Sequence, residues 1–101
     1  MTYKRITASG DLVMPAYTRI LSIRLESTSD DCSAIIYDAA TQAIGDTNSK
    51  QICTLFVTTH GTDDIHPNSD KQAFTPVGVT MKDGVSITLS GTTPKLYIYY
   101  A

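Results

Sequence analysis

The stretch His60-Gly61-Thr62-Asp63-Asp64-Ile65-His66-Pro67-Asn68-Ser69-Asp70 brings two imidazoles and three carboxylates together. His60, Asp63, Asp64 and His66 offer the nitrogen and oxygen donors that a divalent metal takes. Their spacing follows no established metal motif, and a loop must first be ordered to hold an ion. A solvated polar loop accounts for the same residues. Glu26, Asp30 and Asp31 form a second acidic group. They would join Asp63 and Asp64 around calcium if the two turns shared one end of the fold, yet no EF-hand spacing supports this.

Catalytic patterns are missing. The chain has no Gly-x-Ser-x-Gly elbow, no His-Glu-x-x-His and no phosphate-cradling glycine loop. Asp30-Asp31 and Asp63-Asp64 are sequence neighbours in turns, where solubility and turn formation explain them better than glycoside hydrolysis does. The expectation is a protein that is not an enzyme, with no catalytic residue, no cofactor, and no metal site beyond the four candidate ligands.

Cys32 and Cys53 form no Cys-x-x-Cys pair, and each sits in an apolar, strand-like stretch. Both are expected to be buried and reduced, behaving as small hydrophobes, with a single disulfide as the alternative. In Lys95-Leu96-Tyr97-Ile98-Tyr99-Tyr100, strand alternation puts Leu96, Ile98 and Tyr100 on one face and Tyr97 and Tyr99 on the other. Neither face is polar, so both should be covered. An overhanging loop is one cover. A second subunit is the other, and tyrosine suits it by combining apolar area with a hydrogen-bonding tip. Tyr3 and Tyr17 are candidates for the same subunit contact. Lys4, Arg5, Arg19 and Arg24 are the main basic concentration. They read as a solvated or salt-bridged sheet face, or as a dock for an acidic partner surface.

The elements that must position these residues are strands. Thr, Tyr, Val and Ile favour pleated surfaces, and Ser, Gly, Asp and Asn collect in turns. Tyr3–Ser9 is an expected first strand, stopped at Gly10-Asp11. Thr18–Glu26 follows, with Leu21, Ile23 and Leu25 alternating against Ser22, Arg24 and Glu26. Cys32–Asp38 and Gln51–His60 continue the series, the latter setting Cys53, Leu55 and Val57 against Ile52, Thr54 and Phe56. Gly61–Asp70 reads as a loop. Gln72–Met81 is strand-like but interrupted by Pro76 and Gly78, which suits an edge or a bulge. Val85–Ser90 alternates most cleanly. Asp83-Gly84 before it and Gly91-Thr92-Thr93-Pro94 after it predict two hairpins that chain the C-terminal third into a meander. Asp38–Asp46 alone has helical propensity, too short to stand by itself, and reads equally as one helical turn or as a loop ending at Gly45-Asp46.

These signals amount to an all-β chain of seven to eight short strands, the signature of a sandwich or a barrel, and the fold expected is an antiparallel β-sandwich of jelly-roll-like type. At 101 residues, 42% hydrophobic and 18% charged, residues 1–101 are expected to form a single domain. A net charge of −2 gives no electrostatic case for nucleic acid or an anionic membrane. No apolar run approaches the roughly 18 residues of a membrane span. Met1–Thr7 lacks the hydrophobic core of a secretory signal.

The order of Arg19-Ile20-Leu21-Ser22-Ile23-Arg24-Leu25, Ser33-Ala34-Ile35-Ile36-Tyr37-Asp38-Ala39, Gly78-Val79-Thr80-Met81-Lys82-Asp83-Gly84-Val85-Ser86-Ile87-Thr88-Leu89-Ser90-Gly91-Thr92 and Tyr97-Ile98-Tyr99-Tyr100-Ala101 resembles small β-sandwich structural proteins of tailed bacteriophage virions. The likeness lies in element order and turn residues over nearly the whole chain. Asp38-Ala39 departs from the Asp-Gly expected after the third strand. The resemblance implies a structural subunit, a capsid decoration protein that docks on the particle surface as a homotrimer. It would be made in the host cytoplasm and localised to the virion. Its partners would be itself and the major capsid protein or another virion protein, with no cofactor. A tail, neck or fibre component with a receptor- or carbohydrate-binding role is the alternative.

Overall fold

The computed structural model describes residues 2–27, 31–47, 50–57, 68–74, 77–91 and 94–101. Two sheets face each other. One contains β1 (Thr2–Ile6), β3 (Thr18–Ser27), β6 (Asn68–Ala73), β7 (Val79–Met81) and β9 (Lys95–Tyr100). The other contains β2 (Gly10–Met14), β4 (Cys32–Asp38), β5 (Gln51–Val57) and β8 (Val85–Gly91). Every pairing is antiparallel. The first sheet, sheet A, runs β1-β9-β3-β6, and the second, sheet B, runs β2-β8-β4-β5. Most connections therefore cross between layers, which is the jelly-roll arrangement.

β6 and β7 both pair with β3, at Ser22–Ser27 and Thr18–Ile20 respectively. They lie end to end as one interrupted edge strand, so the nine described segments fill eight strand positions. The expected interruption is there, and Gly78 takes a positive φ of 83° within it. Opposite the gap, β3 bulges at Leu21, whose carbonyl accepts the Phe74 amide at 2.9 Å. The bulge shifts the inward row. Ile20, Ile23 and Leu25 are buried, while Leu21 stands half-buried.

The core is what the strand alternation demands. Ile6, Ile20, Ile23, Leu25, Met81, Leu96 and Ile98 come from sheet A; they meet Met14, Ala34, Ile36, Leu55, Val57, Val85 and Ile87 from sheet B. Hiding apolar area from water is the main favourable term in such a fold.

Three sequence expectations are corrected. Gly10-Asp11 does not end the first strand. That strand stops at Ile6, and Gly10 opens β2 opposite Ile87. The C-terminal third is not a meander. Gly84 has the expected positive φ (107°), and its amide closes a turn to the Met81 carbonyl at 3.3 Å. The turn nevertheless carries the chain from sheet A to sheet B, because β7 pairs with β3 and β8 with β2 and β4. β8 and β9 likewise lie in different sheets. Finally, the expected Gly61–Asp70 loop ends early, since Asn68–Asp70 already belong to β6; residues 61–67 lie outside the described residues.

The short helical stretch resolves as α1 (Gln42–Thr47). Thr41 caps it by accepting the Ile44 amide on Oγ1 at 3.1 Å, and Asp11 accepts the Gln42 amide at 2.8 Å. That bond, and a second from the Gln42 side-chain amide at 3.1 Å, hold the Asp11 carboxyl below its ordinary range.

Ser86 is fully buried, and its hydroxyl joins two elements. It donates to the Ala39 carbonyl at 2.8 Å and accepts the Leu12 amide at 3.0 Å. Leu12 lies where β2 slips register against β8, at a φ of 48°. Ser86→Ala leaves both backbone groups without this partner and is expected to cost about 2 kcal/mol. A denaturant titration checks it, the midpoint falling while the slope stays constant.

Cys32 and Cys53 are free thiols, buried and half-buried. Cys32 pairs with Val57 and Cys53 with Ile36, so they stand four positions apart along one ladder. That is about 13 Å, far beyond the roughly 4–7 Å a disulfide spans. Burial, then the Asp70 carboxylate, push the Cys53 thiol up from 9.0 to about 11. At pH 8 it should carry about a hundredfold less thiolate than a free cysteine, and a disulfide-exchange reagent should modify it correspondingly slowly. The raised value also gives a sign to alkaline behaviour. The protonated thiol supports folding below pH 9.0, and that support is lost as pH rises toward 11. Cys53→Val should remove this part of the alkaline dependence.

Candidate functional site: the outer face of the first sheet

On sheet A the outward side chains form rows across the strands. Tyr3 on β1 pairs with Tyr99 on β9, which pairs with Ser22 on β3. In the next row Arg5 pairs with Tyr97, Tyr97 with Arg24, and Arg24 with Lys71 on β6. Lys95 and Glu26 follow. The period of two along each strand and the register between strands together place these residues on one surface.

The tyrosines touch. The Tyr3 ring centroid lies 6.1 Å from that of Tyr97 and 5.9 Å from that of Tyr99, with the planes inclined at 51° and 41°. The Arg24 guanidinium sits over the Tyr97 ring, 4.9 Å from its centroid, a cation–π geometry. Its Nη2 lies 3.6 Å from Glu26, while its Nε is buried without a hydrogen-bond partner among the described residues. Ser22, Arg24, Lys71 and Tyr99 line a shallow depression of about 200 Å³ beside this cluster.

β9 is an inner strand of its sheet, between β1 and β3. The cover over Tyr97 and Tyr99 is only partial, from Tyr3 and Arg24, and both remain half-buried. Tyr3 is 59% exposed. Three of the four expected contact tyrosines thus share one surface. Tyr17 does not. It lies in the turn between β2 and β3 at a φ of 67°, 76% exposed. There it borders an open cleft of about 450 Å³ with Lys4, Val13, Pro15 and Tyr100.

Charge divides with the architecture. The strands of sheet A carry Lys4, Arg5, Arg19, Arg24, Lys71 and Lys95 against Glu26 and Asp70. The rest of the chain holds only Lys50 and Lys82 among basic residues, with the other eight carboxylates. Asp70 is occupied internally, accepting the Phe56 amide at 3.1 Å and so satisfying part of the edge of β5. Lys50 is tied to Asp83 at 3.1 Å. Arg5, Lys71 and Lys95 are exposed and form no ion pair among the described residues.

Lys71 is the member that sequence reasoning missed. It stands at the end of a polar run with no alternating apolar residue to mark a strand, and only its pairing with Arg24 brings it here.

The candidate metal ligands His60, Asp63, Asp64 and His66 lie outside the described residues, as does Asp30. Among the described residues no group of three or more His, Cys, Asp or Glu stands close enough to hold an ion. No helix among them is long and apolar enough to cross a membrane. Comparison with protein-family models, curated proteins and solved structures finds no match for this chain.

Proposed function

We propose that this chain is a structural docking module, a subunit of a tailed-phage virion that seats on the capsid surface as a homotrimer. It works by presenting the outer face of sheet A to a neighbouring protein. The observation that carries this reading is the cluster of Tyr3, Tyr97 and Tyr99 with Arg24 on an open sheet face. Tyrosine and arginine are enriched among the residues that carry most of the energy of protein–protein contacts, because both bury large area and still satisfy their polar ends. The jelly roll adds support by analogy only, since it builds capsid proteins as well as lectins. In this reading the chain's partners are its own copies and the major capsid protein or another virion protein, and the role requires no cofactor and no catalysis.

A carbohydrate platform fits less well. Sugar rings stack on open, flat aromatic faces, whereas these rings are tilted against one another and Arg24 covers one face of Tyr97.

Changing Tyr97 and Tyr99 together to Ser should turn the trimer into monomers in light scattering, with the folded spectrum retained. An unchanged mass removes the tyrosines from the subunit contact. Imaging virions with and without this chain tests the location: density lost from the capsid surface supports the reading, and density lost from the tail, or none, overturns it.

A further inference from the structure

We propose that the row Arg5–Tyr97–Arg24–Lys71 recognises an acidic polypeptide segment of the neighbouring copy in the trimer, packed heterologously, its carboxylates engaging the three cations and its backbone lying over the tyrosines. This rests on sheet A's outer face being a docking surface and adds the chemistry of what docks there. The register sets Arg5, Arg24 and Lys71 on β1, β3 and β6 in a single line across the sheet. Neighbouring strands lie about 4.8 Å apart, so the line spans roughly 15 Å, with Arg24 about 10 Å from Arg5. An extended acidic segment places same-side carboxylates about 7 Å apart, a spacing that flexible Arg and Lys side chains can meet.

Three further observations favour carboxylates. Glu26 is the one carboxylate in the outward rows of the described residues, and it engages only Arg24. Arg5 and Lys71 stand exposed without ion pairs among the described residues. The depression between Arg24, Lys71, Ser22 and Tyr99 is wide enough for a side-chain carboxylate and is bordered by hydroxyl and ammonium donors. A guanidinium held over a tyrosine ring is already oriented, so less rotamer freedom is lost when it takes a carboxylate. A second copy in an isologous pairing is disfavoured, because it would set the same cations against each other.

The test uses the full chain, labelled with ¹⁵N and titrated with deca-glutamate at low and at 0.3 M salt. Deca-glutamate should shift the amides of β1, β9, β3 and β6 around Arg5, Tyr97, Arg24 and Lys71, and the affinity should fall as salt rises. Arg5→Glu with Lys71→Glu, both at exposed edge-strand positions, should weaken binding by about tenfold or more. Arg24→Gln should weaken it as well, while Lys82→Glu, off this face, should leave it within about twofold. Shifts located elsewhere, an unchanged affinity in the double variant, or an equal loss in Lys82→Glu would overturn the proposal. Tighter binding of polygalacturonate than of deca-glutamate at the same residues would also overturn it, in favour of a glycan surface. Because no particle enters this titration, a negative result removes the acidic partner alone; loss of the virion density assignment removes the docking role instead.

Discussion

Gly91→Ala is expected to destabilise the protein by about 3 kcal/mol, combining backbone strain with overpacking. Gly91 takes a φ of 99°, a conformation that L-residues rarely adopt. A Cβ there would run into the Asp31 carbonyl oxygen and come within 2.7 Å of the Cys32 Cα. Both obstacles are backbone, and Cys32 is the ladder partner of Gly91. Neither can retreat without opening the end of the β4–β8 pairing. A melting curve should show the midpoint falling by on the order of 15 °C for a domain of this size. A change below a few degrees would mean that the end of the β4–β8 pairing opens at little cost, against the strain expected at Gly91.

Ile98→Ala should cost as much or more, about 3–4 kcal/mol. Ile98 is fully buried on β9, between Lys4 of β1 and Ile23 of β3, with its side chain in the core shared by the two sheets. Truncation removes the transfer free energy of three carbons and leaves a cavity that stiff neighbouring strands cannot fill. Ile98→Val should cost only about 1 kcal/mol. Chemical denaturation of the pair separates the two contributions: a similar loss in both variants would point to backbone disruption and not to a cavity. The same series protects the functional reading, because β9 also carries Tyr97 and Tyr99 on its other face. A variant that loses partner binding through Ile98 loses the strand, while one that loses it through Tyr97 and Tyr99 loses the surface.

Much of the fold is legible along the chain. Thr18–Ser27 and Cys32–Asp38 lie almost where their alternation and turn residues place them. Leu55 and Val57 face in while Phe56 is 64% exposed, as their spacing predicts. Leu21 is misread, because a one-residue bulge reverses the side a residue faces and leaves no mark in composition. Gly10 is misread because glycine at a turn and glycine at a strand end carry the same local signal. Asp83-Gly84 does specify a turn, but a turn constrains a few dihedrals and does not choose the partner strand.

The candidate surface divides in the same way. Tyr97 and Tyr99 are recognisable from the apolar content of both faces of their strand, and Arg24 from the basic residues near it. Tyr17 passes for a member by residue type, yet a turn sets it apart. Lys71 gives no sign at all until β6 pairs with β3.

By itself, then, the sequence determined which side of most strands is apolar, where the chain turns, and that two β layers must close on each other. Those properties are local, since the pleat repeats every two residues and turn dihedrals belong to individual residues. Tertiary structure alone decided which strand belongs to which layer and which residues stand opposite one another. Hydrophobic burial is non-directional, so Val79 and Val85 can point into the same core from opposite sheets as readily as from one hairpin. Only closure of the whole sandwich, with its backbone hydrogen bonds paired, chose between those arrangements and so brought Arg5, Tyr97, Arg24 and Lys71 into one line.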